Sequence, residues 1–564
     1  MEAVGLGLAV VTAFKELYLT VKFIHRLVFS AKHYKVEKED LRQEFHLEVL
    51  YLQSFGQLLV ENKGILKESH LNTAWLREIH AIFERLRLHC GDHAKLAAAQ
   101  DNDYQSYSPY LNHSTAVSGV IEFEFDIPSE PHEIKKFLEL TTLKRFSFGW
   151  FTTIRPSANW DSWKWALFER RRFERFVAEF QKWTAKIKDL VPLMMALNPH
   201  YDNSLVLDKL ITNEHSRRVG VAPHASLRRL AIEPGLDQTN FFIENVKLDA
   251  PLEAECLTVA NLVNTSDTHP EPEKVLVEYK RYGSDTDDVD IESDHQTEER
   301  VHQLASLLSS AGTHGLHTLE FRGLINQSEG KRYAFLFNFP PPSSSDRVPT
   351  SLHSLMSRHT TLRMSLPQRF RVAKDAVTAV SAFHADGWVH KSIRSHSIVF
   401  FPTITYNSSS SPIQNEVTFG DCYLTDFEFA RPETAQTQYT FDNHLEKILY
   451  RHPDRQGPPT VSFRKIHDIY ALGVVLLEIG VWQTALSIYQ QAHKKLKPGV
   501  TMSPRGIQNL FIEIARRQLP HHMGPAYRDA VVKCLLGTGF GEEENWVMTF
   551  YEEVVQNIDV GKLQ

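Results

Sequence analysis

Two short polar segments set into apolar sequence, and the order in which they occur, constrain the fold of this chain most. The first runs from Gly387 to Phe401, GWVHKSIRSHSIVFF, and the second from Leu424 to Arg431, LTDFEFAR. Tyr450, Pro453 and Asp454 follow in YRHPD, and then HDIYALGVVLLEIGVW, in which Asp468 opens an apolar run. Within that run Ile469, Leu472, Leu476 and Ile479 fall three and four apart, the spacing of a buried helix. Each segment alone is weakly specific, whereas their order is not.

At 564 residues the chain is long enough for two to four domains. A hydrophobic share of 42%, a charged share of 23% and a formal charge of -7 are ordinary for a globular protein and give no overall field for nucleic acid. Cys90, Cys256, Cys422 and Cys534 stand singly, without the C-x-x-C spacing of a zinc site or the density of a disulfide framework, so a reducing cytosol is expected. The histidines show no metal-ligand spacing either. The apolar start, MEAVGLGLAVVTAF, precedes Lys15 by fewer than the roughly 20 residues a bilayer span requires. It begins with Glu2 rather than a basic stretch, so it reads as part of the mature fold and not as a signal peptide.

Taken in order, Val10, Phe14, Leu17, Val21, Ile24 and Val28 lay an apolar stripe along a first helix. Helices are expected over about 38–60 and 72–87, the former with Leu41, Phe45, Leu47, Leu50 and Leu52 among its apolar positions. Residues 101–133 read as a long polar and aromatic loop, and 131–143 as helical. In WDSWKWALFERRRFERFVAEFQKWTAKIKDLVPLM, a helical face gathers Phe173, Phe176, Val177, Phe180, Trp183, Ile187 and Leu190. Such a basic amphipathic helix either rests on an anionic membrane or packs in a bundle with its charges solvated. Residues 211–240 lose the period, gain Arg, Ser, Gly and Pro, and read as a linker.

The later segments resemble the protein kinase family, whose catalytic loop is H-R-D-L-x-x-x-N and whose magnesium motif is D-F-G. The loop reads His390, Lys391, Ser392, Ile393 and then Ser397. The resemblance implies that Ser392 stands where the acid taking the substrate hydroxyl proton belongs, and Ser397 where an Asn would hold a second magnesium. Asp426 and Phe427 keep two letters of the metal motif, and Glu428 replaces its Gly. His390 and Asp468 are implied to be structural, Asp468 by bracing the loop backbone. No G-x-G-x-x-G run lies between Phe241 and Lys280. KVLVEYKRY puts Lys280 where the phosphate-contacting Lys belongs, unless it is a solvated strand end. The helix TEERVHQLASLLSSAG puts Arg300 at the position of that Lys's partner Glu, with Glu299 one residue off, and YAFLFNFPPPSSSD looks like a strand and an interlobe hinge.

The amino-terminal part resembles the fungal HeLo domain of prion-inhibition and cell-death proteins. The resemblance rests on GLGLAVVTAFKELYLTVKFI, EDLRQEFHLEVLYLQSFGQLL and the aromatic helix before LVPLMMALNP. It implies a membrane-acting bundle whose apolar end, with Val4, Leu6, Leu8, Val10, Val11 and Phe14, is released on activation and inserts in a bilayer; a buried first helix with no second state is the other reading.

The expected architecture is therefore an all-α HeLo-like bundle over 1–210, a linker over 211–240, and a bilobal α+β kinase-like domain over 241–564, with a small lobe to about 340. The expected function is fungal signalling or cell death, with the bundle regulated by a pseudokinase. General-base catalysis is worth about 10²–10⁴-fold, so Ser392 alone would leave a poor phosphotransferase. No cofactor is required; ATP and magnesium would have only Lys280 and Asp426 to hold them. A protein activator or a homo-oligomer and membrane lipids are the expected partners, nucleic acid is not, and the location is cytoplasmic with recruitment to the plasma membrane. The alternatives are a divergent Ser/Thr kinase recruiting Asp386 or Glu428, and a non-enzymatic scaffold.

Overall fold

The computed structural model describes residues 2–30, 39–60, 73–98, 170–196, 201, 203–233, 239–249, 257–266, 272–281, 291–311, 317–340, 348–357, 364–406, 415–433, 444–456, 461–497, 501–540 and 546–558. The chain divides into two compact units, Met1–Met194 with Lys209–Ala222, and Met195–Asp208 with Pro223–Gln564. The loop and helix expected over 101–143 lie outside the described residues.

The first unit is helical: α1 Glu2–Ser30, α2 Glu39–Val60, α3 Thr73–Ala98 and α4 Arg170–Ala196. The stripe on α1 is its buried face, with Val10, Phe14, Leu17 and Val21 all at 0% exposure. Phe14 meets Phe83 of α3, and Phe45 of α2 sits against Phe173, Phe176 and Phe180 of α4. The apolar face of α4 is thus used inside the bundle, which favours the bundle reading of that helix. Its polar side is tied to α2 through Glu48, which accepts from Thr184 Oγ1 at 2.6 Å and Lys188 Nζ at 2.9 Å. Leu47, expected among the apolar positions of α2, is exposed.

Three helices follow: α5 Ser204–Thr212, α6 Glu214–Val219 and α7 Val221–Ile232. Of the linker expected over 211–240, the part up to Ile232 is helical. Asn213 caps α6 by accepting from Ser216 N, and Gly220 ends it at φ 81°, a conformation open to glycine at little cost. Val221 to Ala225 and Leu227 are buried. Leu227 joins the core of the second unit, its carbonyl accepts from Trp388 Nε1 at 2.9 Å, and Arg228 donates to the Ala385 carbonyl at 3.0 Å. The two helices are too short to show a long apolar period, and tertiary burial stabilises them instead.

The second unit pairs β1 Val246–Asp249, β2 Thr258–Asn264, β3 Glu273–Arg281, β4 Phe321–Gln327 and β5 Arg332–Phe337 in one antiparallel sheet of order β1-β2-β3-β5-β4, with α8 Ile291–Ala311 between β3 and β4. Both faces of β3 are covered. Leu276 faces Leu304, Leu308 and Phe335, while Val275 and Val277 face Ala334 and Leu336. A bulge at Gly323 brings the chain against Ile243 so closely that a Cβ there would lie 2.8 Å from that side chain.

The rest of the unit comprises β6 Thr350–Ser351, α9 Leu352–Ser357, α10 Leu366–Ala385, β7 Trp388–Val389, β8 Ile398–Phe400, β9 Thr403–Tyr406, β10 Asn415–Thr418, β11 Tyr423–Leu424 and β12 Arg431–Pro432. Next come α11 Leu445–Ile448, α12 Lys465–Val481, α13 Ala485–His493, α14 Pro504–His522, α15 Pro525–Leu536 and α16 Trp546–Phe550, continued by a π turn over Tyr551–Val555. Helix α12 is buried on every side from His467 to Val481. Gly473 permits this, since a Cβ there would stand 2.8 Å from Cys534 Cβ on α15. One apolar core, including Leu304, Phe335, Phe383, Trp388, Val399 and Phe427, runs from the sheet into the helical part of the unit. Among the described residues no single helix is long and apolar enough to cross a membrane.

Candidate functional site

Two loops meet the end of β3 where the sheet adjoins the helical part. Helix α10 ends at Asp386, Gly387 reverses the chain at φ 85°, and β7 delivers the loop 390–397, which β8 carries back. Asp468, at the start of α12, fixes that loop: its carboxylate accepts from the backbone N–H of His390 at 2.7 Å and of Lys391 at 2.9 Å, and from His384 Nε2 at 3.1 Å. These bonds outweigh the cost of its burial and hold its pKa below the usual value. The His390 ring stands 4.7 Å from that of Phe427, and desolvation lowers the pKa of its imidazole.

The second polar segment brings Asp426 to the same place, in the left-handed region at φ 70°. Ser392 Oγ donates to Asp426 Oδ2 at 2.6 Å, and the Arg394 guanidinium pairs with the same oxygen at 2.5 Å. Both partners of this ion pair are largely buried, at 14% and 18% side-chain exposure, which strengthens it over a surface pair. Ser397 is engaged with the loop itself: its Oγ donates to the Arg394 carbonyl at 2.8 Å and accepts from Arg394 N at 2.9 Å.

Lys280 reaches this cluster from β3, where its ammonium donates to the Glu428 carbonyl. Desolvation lowers its pKa to about 8, with Glu428 opposing and Arg300 adding to the shift. Arg300 is therefore the residue of α8 whose charge bears on Lys280, while Glu299 is exposed and accepts from Gln303 at 3.3 Å. Lys280, Glu278, Leu304, His396, Asp426 and Phe427 line a cavity of about 40 Å³. That is room for water, far short of the roughly 300–1,000 Å³ of a small-molecule site.

Two residues of the cluster escaped the sequence reading. Glu278 accepts from the backbone of Asp426 at 3.0 Å, and burial raises its pKa to about 8. Its signal was present, because strand alternation puts residue 278 on the same face as 280. Arg394 lies between Ser392 and Ser397 in the loop, and nothing in the spacing of the sequence marks it as a partner of Asp426. The structure brings together His390, Ser392, Ser397, Lys280, Asp426 and Asp468. Of the apolar positions expected to act on membranes, Val10 and Phe14 are buried, Leu6 and Val11 are half-buried, and Leu8 is 68% exposed; the side chain of Val4 lies outside the described residues. Asp386 is closed off at 1% exposure, paired with His224 Nδ1 at 2.7 Å, so it is not placed to serve as a displaced acid. Compared with models of known protein families and with curated proteins, the chain matches none.

Proposed function

We propose that the second unit is a kinase-like domain that does not transfer phosphate, and that it regulates a first unit that acts on membranes. The observation that carries this reading is the Asp426 carboxylate, bound at one oxygen by both Ser392 and Arg394. Phosphoryl transfer requires that carboxylate on magnesium and an acid beside the substrate hydroxyl. Here a guanidinium, which cannot lose its proton in a protein, holds the carboxylate, and the position of the acid carries a hydroxyl. Magnesium demands near-octahedral oxygen donors at about 2.0–2.1 Å. The donor set of one arginine-paired carboxylate and two serine hydroxyls does not fit it.

The kinase-like fold is supported by the antiparallel order β1-β2-β3-β5-β4 with one helix inserted after β3, and by Asp468 bracing the loop 390–397. Regulation without chemistry is supported by Arg300 standing where an acid would pair with Lys280. The membrane role is supported by Leu8 and Leu19, which share the face of α1 opposite its buried stripe and are 68% and 56% exposed. The test is incubation of the full chain with radiolabelled ATP and magnesium, with and without a general protein substrate. No label should transfer, and magnesium and ATP should leave the unfolding midpoint unchanged. Transfer that disappears in Asp426→Ala would sink the reading in favour of a divergent kinase.

A further inference from the structure

Sequence spacing gives no metal site, yet folding brings a mixed donor set together beside β11, the strand that leads to Asp426, from residues that take no part in the Asp426 cluster. His317 precedes β4, Asp375 lies in the middle of α10, and Cys422 leads into β11; one ligand atom from each falls within 4.8 Å of the other two. Cys422 Sγ is 3.8 Å from Asp375 Oδ2. Two ligands of a tetrahedral metal with bonds of about 2.0–2.3 Å stand roughly 3.3–3.7 Å apart, so the thiol and the carboxylate are already near that separation. His317 is held in place by its own backbone: its carbonyl accepts from Leu424 N at 2.6 Å, and the neighbouring Thr318 bridges to Leu424. Cys422 is buried, and His317 and Asp375 are half-buried, so an ion would enter from the imidazole and carboxylate side.

We propose that His317, Asp375 and Cys422 bind a borderline-soft divalent cation of the zinc class, linking the segment after α8 to α10 and to β11. The donor chemistry chooses the class. Magnesium and calcium take oxygen ligands, whereas thiolate with imidazole suits zinc, and three protein ligands leave a fourth position for water. Cys422 faces Asp375 as a thiol donor. Binding exchanges charge in a defined way: the cation bonds to sulfur, the S–H bond breaks, and its proton leaves to solvent.

A second cluster, His353, His396 and Glu446, is less suited. Its two imidazoles stack face to face at 3.8 Å and 20°, so their nitrogen lone pairs run side by side instead of converging on one ion. Both Nε2 atoms instead share one Glu446 oxygen at 3.5 Å.

The test titrates Co²⁺ into the reduced, chelator-treated full chain and follows absorption. One equivalent should produce a thiolate-to-cobalt band in the near ultraviolet and intense tetrahedral bands in the visible, both displaced by Zn²⁺. Cys422→Ser should abolish the ultraviolet band, while Cys256→Ser keeps it. Asp375→Asn and His317→Gln should each weaken binding by more than about 100-fold, since even outer-shell partners of a metal are worth about 10–100-fold. Zinc should raise the unfolding midpoint of the full chain and a chelator should reverse the rise. If Cys422→Ser fails to fold, the other two variants carry the test. No stoichiometric cobalt binding, a band unchanged in Cys422→Ser, or binding lost in His396→Gln and kept in His317→Gln would each overturn the proposal.

Discussion

Glu478 is a carboxyl in the last turn of α12 with no exposed surface, and its Oε1 accepts from Tyr450 O–H at 2.8 Å and from Ala485 N–H at 2.6 Å. Desolvation pushes its pKa up to about 8, against an ordinary value of 4.5. The folded chain thus keeps a proton that the unfolded chain loses above about pH 4.5, so this group's contribution to stability is complete in acid, declines as pH rises, and is gone above about 8. Glu278, also at about 8, acts in the same direction. Buried histidines such as His467 oppose them below about 6.5, where the unfolded imidazole gains its proton. Lys280 and Lys391, both lowered to about 8, act in more alkaline solution. Between pH 6.5 and 8 the carboxyls dominate. The denaturation midpoint of the full chain should fall across that window, and Glu478→Gln should flatten the fall; an equal slope in the variant would contradict the assignment. At this scale the sequence was legible where a polar residue interrupts apolar sequence at a set place in a series, as His390 and Asp468 do. It was silent on Arg394, whose partner Asp426 is distant in sequence and so invisible to spacing. The same holds for His317, Asp375 and Cys422, whose convergence depends on three separate elements.

Among the elements, the amphipathic ones were legible because burial writes a period into sequence: the stripe of α1 and the aromatic face of α4 are the buried faces of the bundle. Helix α7 was not. It spans only Val221–Ile232 and carries Pro223, Ser226 and three basic or imidazole side chains, His224, Arg228 and Arg229. Its polar groups are satisfied locally or by α10, His224 by Asp386 and Arg229 by Asp208 and Glu233, and that is why a composition typical of a linker folds as part of a core. The consequence is measurable. Leu227→Ala removes a fully buried side chain and should lower stability by about 2–5 kcal/mol, whereas a linker substitution would fall within roughly 0.5 kcal/mol. Denaturant unfolding followed by tryptophan emission reads it, because Trp388 donates to the Leu227 carbonyl. A change below about 0.5 kcal/mol would return the segment to the linker reading.

For the whole molecule, the division into units gives the membrane proposal a sharper test than the sequence alone allowed. The first unit closes with Lys209–Ala222, so a fragment of residues 1–222 keeps all of its segments, and one ending at 210 would remove α6 from α2, where His215 Nδ1 lies 3.4 Å from Ser54 Oγ. Two positions on α1 then separate folding from lipid contact. Val10 has no exposed surface, so Val10→Glu puts a charge into the bundle core and should unfold it. Leu8 is 68% exposed, so Leu8→Glu should leave the bundle intact while removing a side chain whose burial in lipid is worth about 1.5–3 kcal/mol. If the bundle acts on membranes under restraint by the second unit, residues 1–222 should release dye from anionic liposomes faster than the full chain. Leu8→Glu should cut that release with helicity unchanged. A folded fragment that releases no dye would transfer the function to protein binding by both units. Release that is equal in the fragment and the full chain would keep the membrane role but remove the regulatory one, because a domain that restrains an effector must leave a difference when it is taken away.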